Sequence, residues 1–178
     1  ICKTTAPPSV YEQLQQSYPN IVHCPEFLTA RNHIKDYHTT DNFVLGGDMK
    51  FCELARNVIQ SGNVMNKNFI MTDIKSASLF KYMMNSYLAT KVTFMNDFKK
   101  LADLEEVDWH GIKELSRHDC RIGTTHMDVP GPDGEYGWGG ACFPKDVAAI
   151  QMEALDLDTE LELLGRVEDI NKKHRKLS

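Results

Sequence analysis

Apolar residues change their spacing partway along the chain, and the change divides it. Up to about residue 72, short apolar runs alternate with polar stretches. Ile1-Cys2-Lys3 reads as the end of a strand. Pro7-Pro8-Ser9 interrupts it, and Ser9 is expected to cap a helix through Tyr11, Leu14 and Tyr18. Ile21-Val22-His23-Cys24 predicts a strand stopped by Pro25, and Asn42-Phe43-Val44-Leu45 another stopped by Gly46-Gly47. From Met49 to Gln60, Phe51, Leu54, Ala55, Val58 and Ile59 fall at helical spacing, and Gly62 closes the element. Strands alternating with helices are the grammar of an α/β domain, of which the last part is expected here, over residues 1–72.

From Asp73 the period is helical. Ser76 to about Leu104 holds no Gly or Pro, and Leu79, Tyr82, Met83, Ser86, Tyr87, Thr90, Phe94, Phe98 and Leu101 recur at steps of three and four. One helix of roughly 30 residues, ~45 Å long, is predicted. Its bulky residues Tyr82, Tyr87, Phe94 and Phe98 exceed what a small domain covers alone, so a two-fold dimer through this helix is expected. A second helix is predicted over Trp109–Arg117. Thr125 to Cys142 is crowded with Gly and Pro, and helical patterns resume at Pro144 with a break near Asp156-Leu157-Asp158. Residues 73–178 are therefore expected to form an all-α domain built on one long helix.

Composition narrows the function classes. Apolar residues make up 42% and charged residues 25%, with a formal net charge of -5, which gives no support for binding nucleic acid or an anionic membrane. No apolar run approaches the ~20 residues that span a bilayer. The start has neither an initiator Met nor a signal-peptide core, so the chain is expected to begin inside a longer protein. Cys2, Cys24, Cys52, Cys120 and Cys142 are odd in number and lack C-x-x-C spacing, and the seven histidines form no H-x-x-x-H pair. Neither a disulfide framework nor a metal site is expected, and a reducing, cytoplasmic setting fits best.

Four segments carry candidate chemistry. In Gly137-Trp138-Gly139-Gly140-Ala141-Cys142-Phe143-Pro144-Lys145-Asp146, glycines let the backbone approach a ligand, and Pro144 suits the first position of a helix, where its missing N–H costs nothing. Cys142 then stands where the helix's positive end and free N–H groups favour a thiolate, with Asp146 one turn on. The alternative is a buried cysteine beside a flexible turn. Lys81 and Asn85 are four apart on the long helix and point the same way. Such a pair can hold an oxygen that gains negative charge, or it can be a solvated face with a snorkelling lysine. Glu26, in Cys24-Pro25-Glu26-Phe27-Leu28, follows a strand end, where α/β crevices form, or caps the next helix. Thr4-Thr5-Ala6-Pro7 also follows a strand end, or is a plain turn.

Taken in order, these segments resemble the UDP-glucose/GDP-mannose dehydrogenase family. The resemblance rests on Thr4-Thr5-Ala6-Pro7, Pro25-Glu26-Phe27-Leu28, Lys81-x-x-x-Asn85-x-x-x-Ala89, Arg121-Ile122-Gly123 and Gly139-Gly140-Ala141-Cys142-Phe143-Pro144-Lys145-Asp146. It implies the end of a Rossmann-type NAD-binding domain, without its Gly-rich first half. It further implies a central dimerisation domain like the C-terminal domain of 6-phosphogluconate dehydrogenase, and a third, nucleotide-binding domain would be expected beyond the chain. The activity implied is a two-step oxidation of a UDP-sugar, UDP-glucose to UDP-glucuronate, each step passing a hydride to NAD.

The same resemblance implies residue roles. Cys142 would form the thiohemiacetal and thioester, Lys81 and Asn85 would hold the C6 oxygen, Asp146 and Thr5 would order water, and Glu26 would assist hydrolysis. Substrate would be bracketed by Glu26, Phe27, Leu28, Thr29 and Ala30, by Lys81 and Asn85, and by Tyr136, Gly137, Trp138 and Gly139. Arg121 would reach the substrate of a partner subunit. Thr4, Thr5 and Ala6, with Cys142, Phe143, Pro144 and Lys145, would face the nicotinamide. Ala30 departs from the family's usual Glu, and the 121–142 loop carries extra residues around Pro130-Gly131-Pro132-Asp133-Gly134. GDP-mannose oxidation, a helical dimerisation module without activity, and a cysteine hydrolase with His126 as base remain the alternatives; the hydrolase ranks last, because no third group is evident.

Overall fold

The computed structural model describes residues 1–27, 39, 41–62 and 67–176. It is mostly helical with a small parallel sheet. The elements are α1 (Pro8–Ser17), β1 (Asn42–Gly46), α2 (Met49–Ser61), β2 (Asn68–Thr72), α3 (Ile74–Leu104), α4 (Trp109–Ser116), α5 (Phe143–Asp156) and α6 (Glu162–His174). Two compact units, Ile1–Met83 and Met84–Ser178, share the residues between them, and the boundary falls within α3.

In the first unit, β1 and β2 pair in parallel from Asn42 opposite Asn68 to Gly46 opposite Thr72. A parallel pair needs a crossover, and α2 supplies it. The 21–24 segment does not form a full strand. His23 alone bridges it, in parallel to Cys2 and antiparallel to Gly46. The sequence does not announce β2, because Phe69, Ile70 and Met71 are apolar in a row; the alternation is one of burial alone, with Asn68 and Ile70 exposed while Phe69 packs inward. The core gathers Val22, Cys24, Phe43, Leu45, Cys52 and Ala55, with Phe51, Ile59, Phe69 and Met71 against them. Gly46 is required by space, since a Cβ there would collide with that of Ala77.

Two helix starts differ from expectation. α1 begins at Pro8 with Pro7 as its N-cap and no side-chain cap, so Ser9 lies inside the helix. α3 begins two residues earlier than the apolar pattern suggests. Asp73 accepts from the Ser76 N–H at 2.8 Å and from the Ser76 hydroxyl at 2.6 Å, which satisfies a donor that a helix start leaves open. These bonds hold the Asp73 carboxyl below its usual range. Asp48 and Asp108 cap α2 and α4 in the same way.

The second unit contains most of α3 with α4, α5 and α6. Met95, Ala102, Trp109, Met127 and Val129 form a core against which Tyr136 packs, and the Trp109 indole N–H donates to the Met127 carbonyl at 3.1 Å. α5 ends at Asp156, and Asp158 takes φ 54 in the turn to α6.

His23 is fully buried in the first unit. Its ring lies 4.1 Å from that of Tyr11, its Nδ1 is 3.2 Å from the Cys2 carbonyl, and its Nε2 has no hydrogen-bond partner among the described residues. Burial first, and the nearby Lys81 charge, push its pKa down to about 4 from 6.5. Between those values the unfolded chain binds the extra proton, so stability is full above pH 6.5 and is lost as pH falls towards 4. The expected loss is ~3 kcal/mol for this one group. Urea unfolding of wild type and His23→Phe at pH 7.5 and 4.5 checks it: the pH dependence should shrink by about that amount in the variant.

Candidate functional site

In the first unit, the candidate residues converge on irregular backbone. The Lys81 ammonium, on a side chain left only 9% exposed, donates to the Glu26 carbonyl at 2.6 Å and lies 5.3 Å from the centre of the Phe27 ring. Phe27 meets Phe80 edge-on at 5.5 Å. The Glu26 carboxylate, half-exposed, pairs with Lys3 at 2.7 Å. The Thr4 carbonyl accepts from the Tyr11 hydroxyl, and the Ala6 carbonyl accepts from Ser78 at 2.6 Å. Thr5, between two carbonyls tied into the interior, is half-buried. Lys81 is therefore no solvated lysine. Leu28, Thr29 and Ala30 lie outside the described residues.

In the second unit, Asn85 donates from its amide to the Asp146 carboxylate at 2.5 Å, and both are buried. The half-exposed Lys145 ammonium takes the other carboxylate oxygen. A buried carboxylate needs such partners. Asp146 lies in the first turn of α5, and its N–H donates to the Cys142 carbonyl at 3.0 Å. Cys142 is the N-cap of α5, makes no side-chain capping hydrogen bond among the described residues, and is exposed. The arrangement presents an accessible sulfur at the N-terminal end of a helix whose first turn is anchored below by a buried Asn–carboxylate pair.

The loop before Cys142 is held from inside. The Trp138 side chain is buried and its indole N–H donates to Thr93 at 2.9 Å. What this loop leaves at the surface is Gly140, Ala141 and Cys142, while Tyr136 and Gly139 are half-buried and Gly137 is buried. Phe143 stands between Trp138, edge-on at 6.3 Å, and His126 at 5.8 Å; Pro144 and Lys145 are exposed beside it. Burial first, and Lys91 nearby, hold the His126 pKa below its usual range. Among the described residues no hydrogen bond joins His126 to Cys142, so a Cys–His pair has no support. No group of three His, Cys, Asp or Glu among the described residues could hold a metal ion.

Arg121 is exposed and chelates Asp119 with Nε at 2.9 Å and Nη2 at 2.5 Å. Each holds the other charged: the Asp119 pKa is lowered and that of Arg121 raised. Just after Arg121, Lys91 reaches from α3 to the carbonyls of Ile122 at 2.9 Å and Gly123 at 3.2 Å, and burial lowers its pKa. Lys91, Thr93, Asn96 and Asn171 went unremarked in the sequence. For Thr93 and Asn96 the available signal was polarity at helical spacing from Asn85 and Ala89; Lys91 lies on another face of α3 and Asn171 on α6, and neither carried that signal.

The sequence profile of the UDP-glucose/GDP-mannose dehydrogenase family, central domain, matches residues 75–173. A UDP-glucose 6-dehydrogenase of Rickettsia conorii is 32% identical over 97% of this chain and 40% of its own length. The solved UDP-glucose dehydrogenase of the hyperthermophilic archaeon Pyrobaculum islandicum superposes with a TM-score of 0.76 at 26% identity, covering 96% of this chain and 40% of that one. A UDP-D-ManNAc dehydrogenase of Pyrococcus horikoshii shares the fold, with a TM-score of 0.77 at 22% identity over 97% of this chain and 41% of its own. The chain thus spans about two fifths of the length of the curated relatives it matches.

Thiol exposure in this structure predicts an order of reaction. Cys120 and Cys142 are exposed, Cys24 and Cys52 are buried, and burial raises the pKa of both buried thiols. Brief iodoacetamide treatment at neutral pH should label Cys120 and Cys142 and spare Cys24 and Cys52, read by peptide mass spectrometry.

Proposed function

This chain belongs to the UDP-glucose/GDP-mannose dehydrogenase family, and on that premise we propose that it carries the thiol and oxyanion-holding residues of an NAD-dependent UDP-glucose 6-dehydrogenase. The observation that carries the reading is Cys142, exposed at the N-cap of α5, with Asp146 buried one turn below against Asn85. We infer that residues 1–72 are the latter part of a Rossmann-type NAD-binding domain and that residues 73–178 are the central domain. The UDP-sugar and the full activity are proposed for a protein of the relatives' full length, of which this chain spans about two fifths.

NAD would accept the hydride released in each of two oxidations. Thr5, half-buried between the tied Thr4 and Ala6 carbonyls, is proposed to face the nicotinamide. Thr4 and Ala6 of the first unit, and the Cys142–Lys145 turn of the second, are each proposed to contact the nicotinamide end alone. Lys81 and Asn85 hold the C6 oxygen as it gives up its proton and the carbon its hydride, leaving the aldehyde. The Cys142 sulfur then bonds to the aldehyde carbon, and the oxygen takes a proton to give a thiohemiacetal. Loss of the C–H hydride and the hydroxyl proton leaves a thioester. Water, ordered by Asp146 and Thr5 and assisted by Glu26, breaks the C–S bond to give the carboxylate and return the thiol. Two hydrides leave per sugar. A cationic donor aimed at a developing oxyanion stabilises the transition state more than the ground state.

A homodimer through α3 is part of this reading. Phe80, Met83, Tyr87, Phe94, Phe98 and Leu101 are exposed along the helix, an apolar stripe of the kind a two-fold partner covers. Tyr82 drops out of the expected set, because it is buried within its own unit. Sedimentation of the full-length protein should give a dimer at micromolar concentration, and Tyr87→Glu with Phe94→Glu should shift it towards monomer.

In the full-length enzyme, Cys142→Ser should oxidise UDP-glucose to the aldehyde level and stall there, because serine without a base is a poor nucleophile. Aldehyde or retained covalent ester, measured by mass spectrometry, is the expected result; normal glucuronate formation would count decisively against the mechanism. Lys81→Ala should lower kcat by ~10²–10³-fold. It should also destabilise the first unit by ~1–3 kcal/mol, since the Glu26 carbonyl loses its buried donor. Initial rates and urea unfolding separate the two effects.

A further inference from the structure

The glycine run that leads to Cys142 does not hold itself in place. The Gly137 N–H donates to Asn96 Oδ1 at 2.9 Å. The Trp138 N–H donates to Asn171 Oδ1 at 2.7 Å, and Asn171 Nδ2 donates back to the Trp138 carbonyl at 2.8 Å. The amide of Asn171, on α6, therefore pairs with both backbone groups of a single residue, as a neighbouring strand does. The Trp138 indole adds its bond to Thr93 Oγ1, which passes its own proton to the Ala89 carbonyl at 3.0 Å. Asn171, Asn96 and Thr93 are all buried.

Space reinforces the hydrogen bonds. Gly137 has φ 70, and a Cβ there would run into the Asn171 amide; a Cβ on Gly139 would run into the Arg175 guanidinium. Arg175 is itself fixed to Asp133 at 2.9 Å. Past Gly139 the backbone is exposed, with Gly140 at φ 74, until Cys142 caps α5. The thiol thus lies a few residues of permissive chain beyond a clamp made by side chains of α3 and α6.

We propose that Asn171 is a positioning residue for the Cys142 thiol, holding Gly137–Trp138 so that the run Gly139-Gly140-Ala141-Cys142 delivers the sulfur to one place. The proposal rests on the reading of Cys142 as the nucleophile of the second oxidation. A nucleophile reacts when held within ~3–3.5 Å of its carbon, and a displacement of about 1 Å can cost ~10²-fold. A chain of glycines leaves that placement loose, so the clamp must supply it. The first oxidation forms no bond to sulfur. Loss of the clamp therefore weighs on the second oxidation more than on the first, whereas a residue that only stabilises the fold affects both alike.

The test uses the full-length enzyme with Asn171→Ala, each oxidation measured apart as NADH formed from UDP-glucose and from the corresponding UDP-6-aldehyde. The aldehyde rate should fall relative to the alcohol rate by ~10-fold or more, with aldehyde accumulating during turnover of UDP-glucose. Should Asn171→Ala fail to fold, Thr93→Val, which removes only the indole's acceptor and one helix-internal bond, should show the same imbalance to a smaller degree. An unchanged ratio in a folded variant would overturn the proposal while leaving the dehydrogenase reading intact. A wild-type enzyme inactive on both substrates would overturn that reading and this inference with it.

Discussion

Irregular backbone packed against a core must find partners for its N–H and C=O groups, and in this protein α3 supplies many of them. Within the first unit, Ser78 takes the Ala6 carbonyl and Lys81 the Glu26 carbonyl. Within the second, Lys91 takes the carbonyls of Ile122 and Gly123, Asn96 takes the Gly137 N–H, and Thr93 takes the Trp138 indole. An unsatisfied buried polar group costs ~1–3 kcal/mol, so these side chains are as necessary to the fold as its apolar ones. The price is an unusual helix, polar where it faces its own chain and apolar along the exposed stripe of Phe80, Met83, Tyr87, Phe94 and Phe98.

That constraint also organises the proposed chemistry. The side chains that tie loops to α3 and the side chains proposed to act on substrate belong to one set. Lys81 holds the Glu26 carbonyl, and Asn85 holds Asp146 in the first turn of the helix that begins after Cys142. A cation or amide already buried and oriented needs no rearrangement to meet a developing charge. By the same arrangement, mutation there should disturb stability and turnover together. Cys142 differs: it is exposed and its side chain makes no capping bond to α5, so its placement is what the proposed clamp behind Trp138 would fix.

Much of the outline was legible in the sequence, because apolar spacing reports which face of a helix is covered. Met49–Gln60 was expected as a helix and Met49–Ser61 is one; the break expected near Asp156-Leu157-Asp158 is the turn between α5 and α6. The glycine–cysteine segment was also legible, since Pro144 announces a helix start and puts Cys142 at its cap. The edges failed where polar residues decide them. Asp73, through two bonds to Ser76, begins α3 earlier than its apolar pattern does, and the β2 sequence lacks the apolar–polar alternation that marks a half-buried strand.

The sequence by itself determined the family resemblance, the long helix and the cysteine at a helix start, because motif order and local propensity act through neighbours along the chain. It could not decide whether Lys81 and Asn85 faced water, since helical spacing says that two side chains share a face and nothing of what covers it. Tertiary structure decided that both are buried, that Trp138 points inward and that Tyr82 leaves the exposed stripe. It alone paired Asn171 with Trp138, which are far apart in the chain. Such pairings rest on hydrogen bonds between particular groups, and those bonds exist only once folding has removed the water that would otherwise satisfy them.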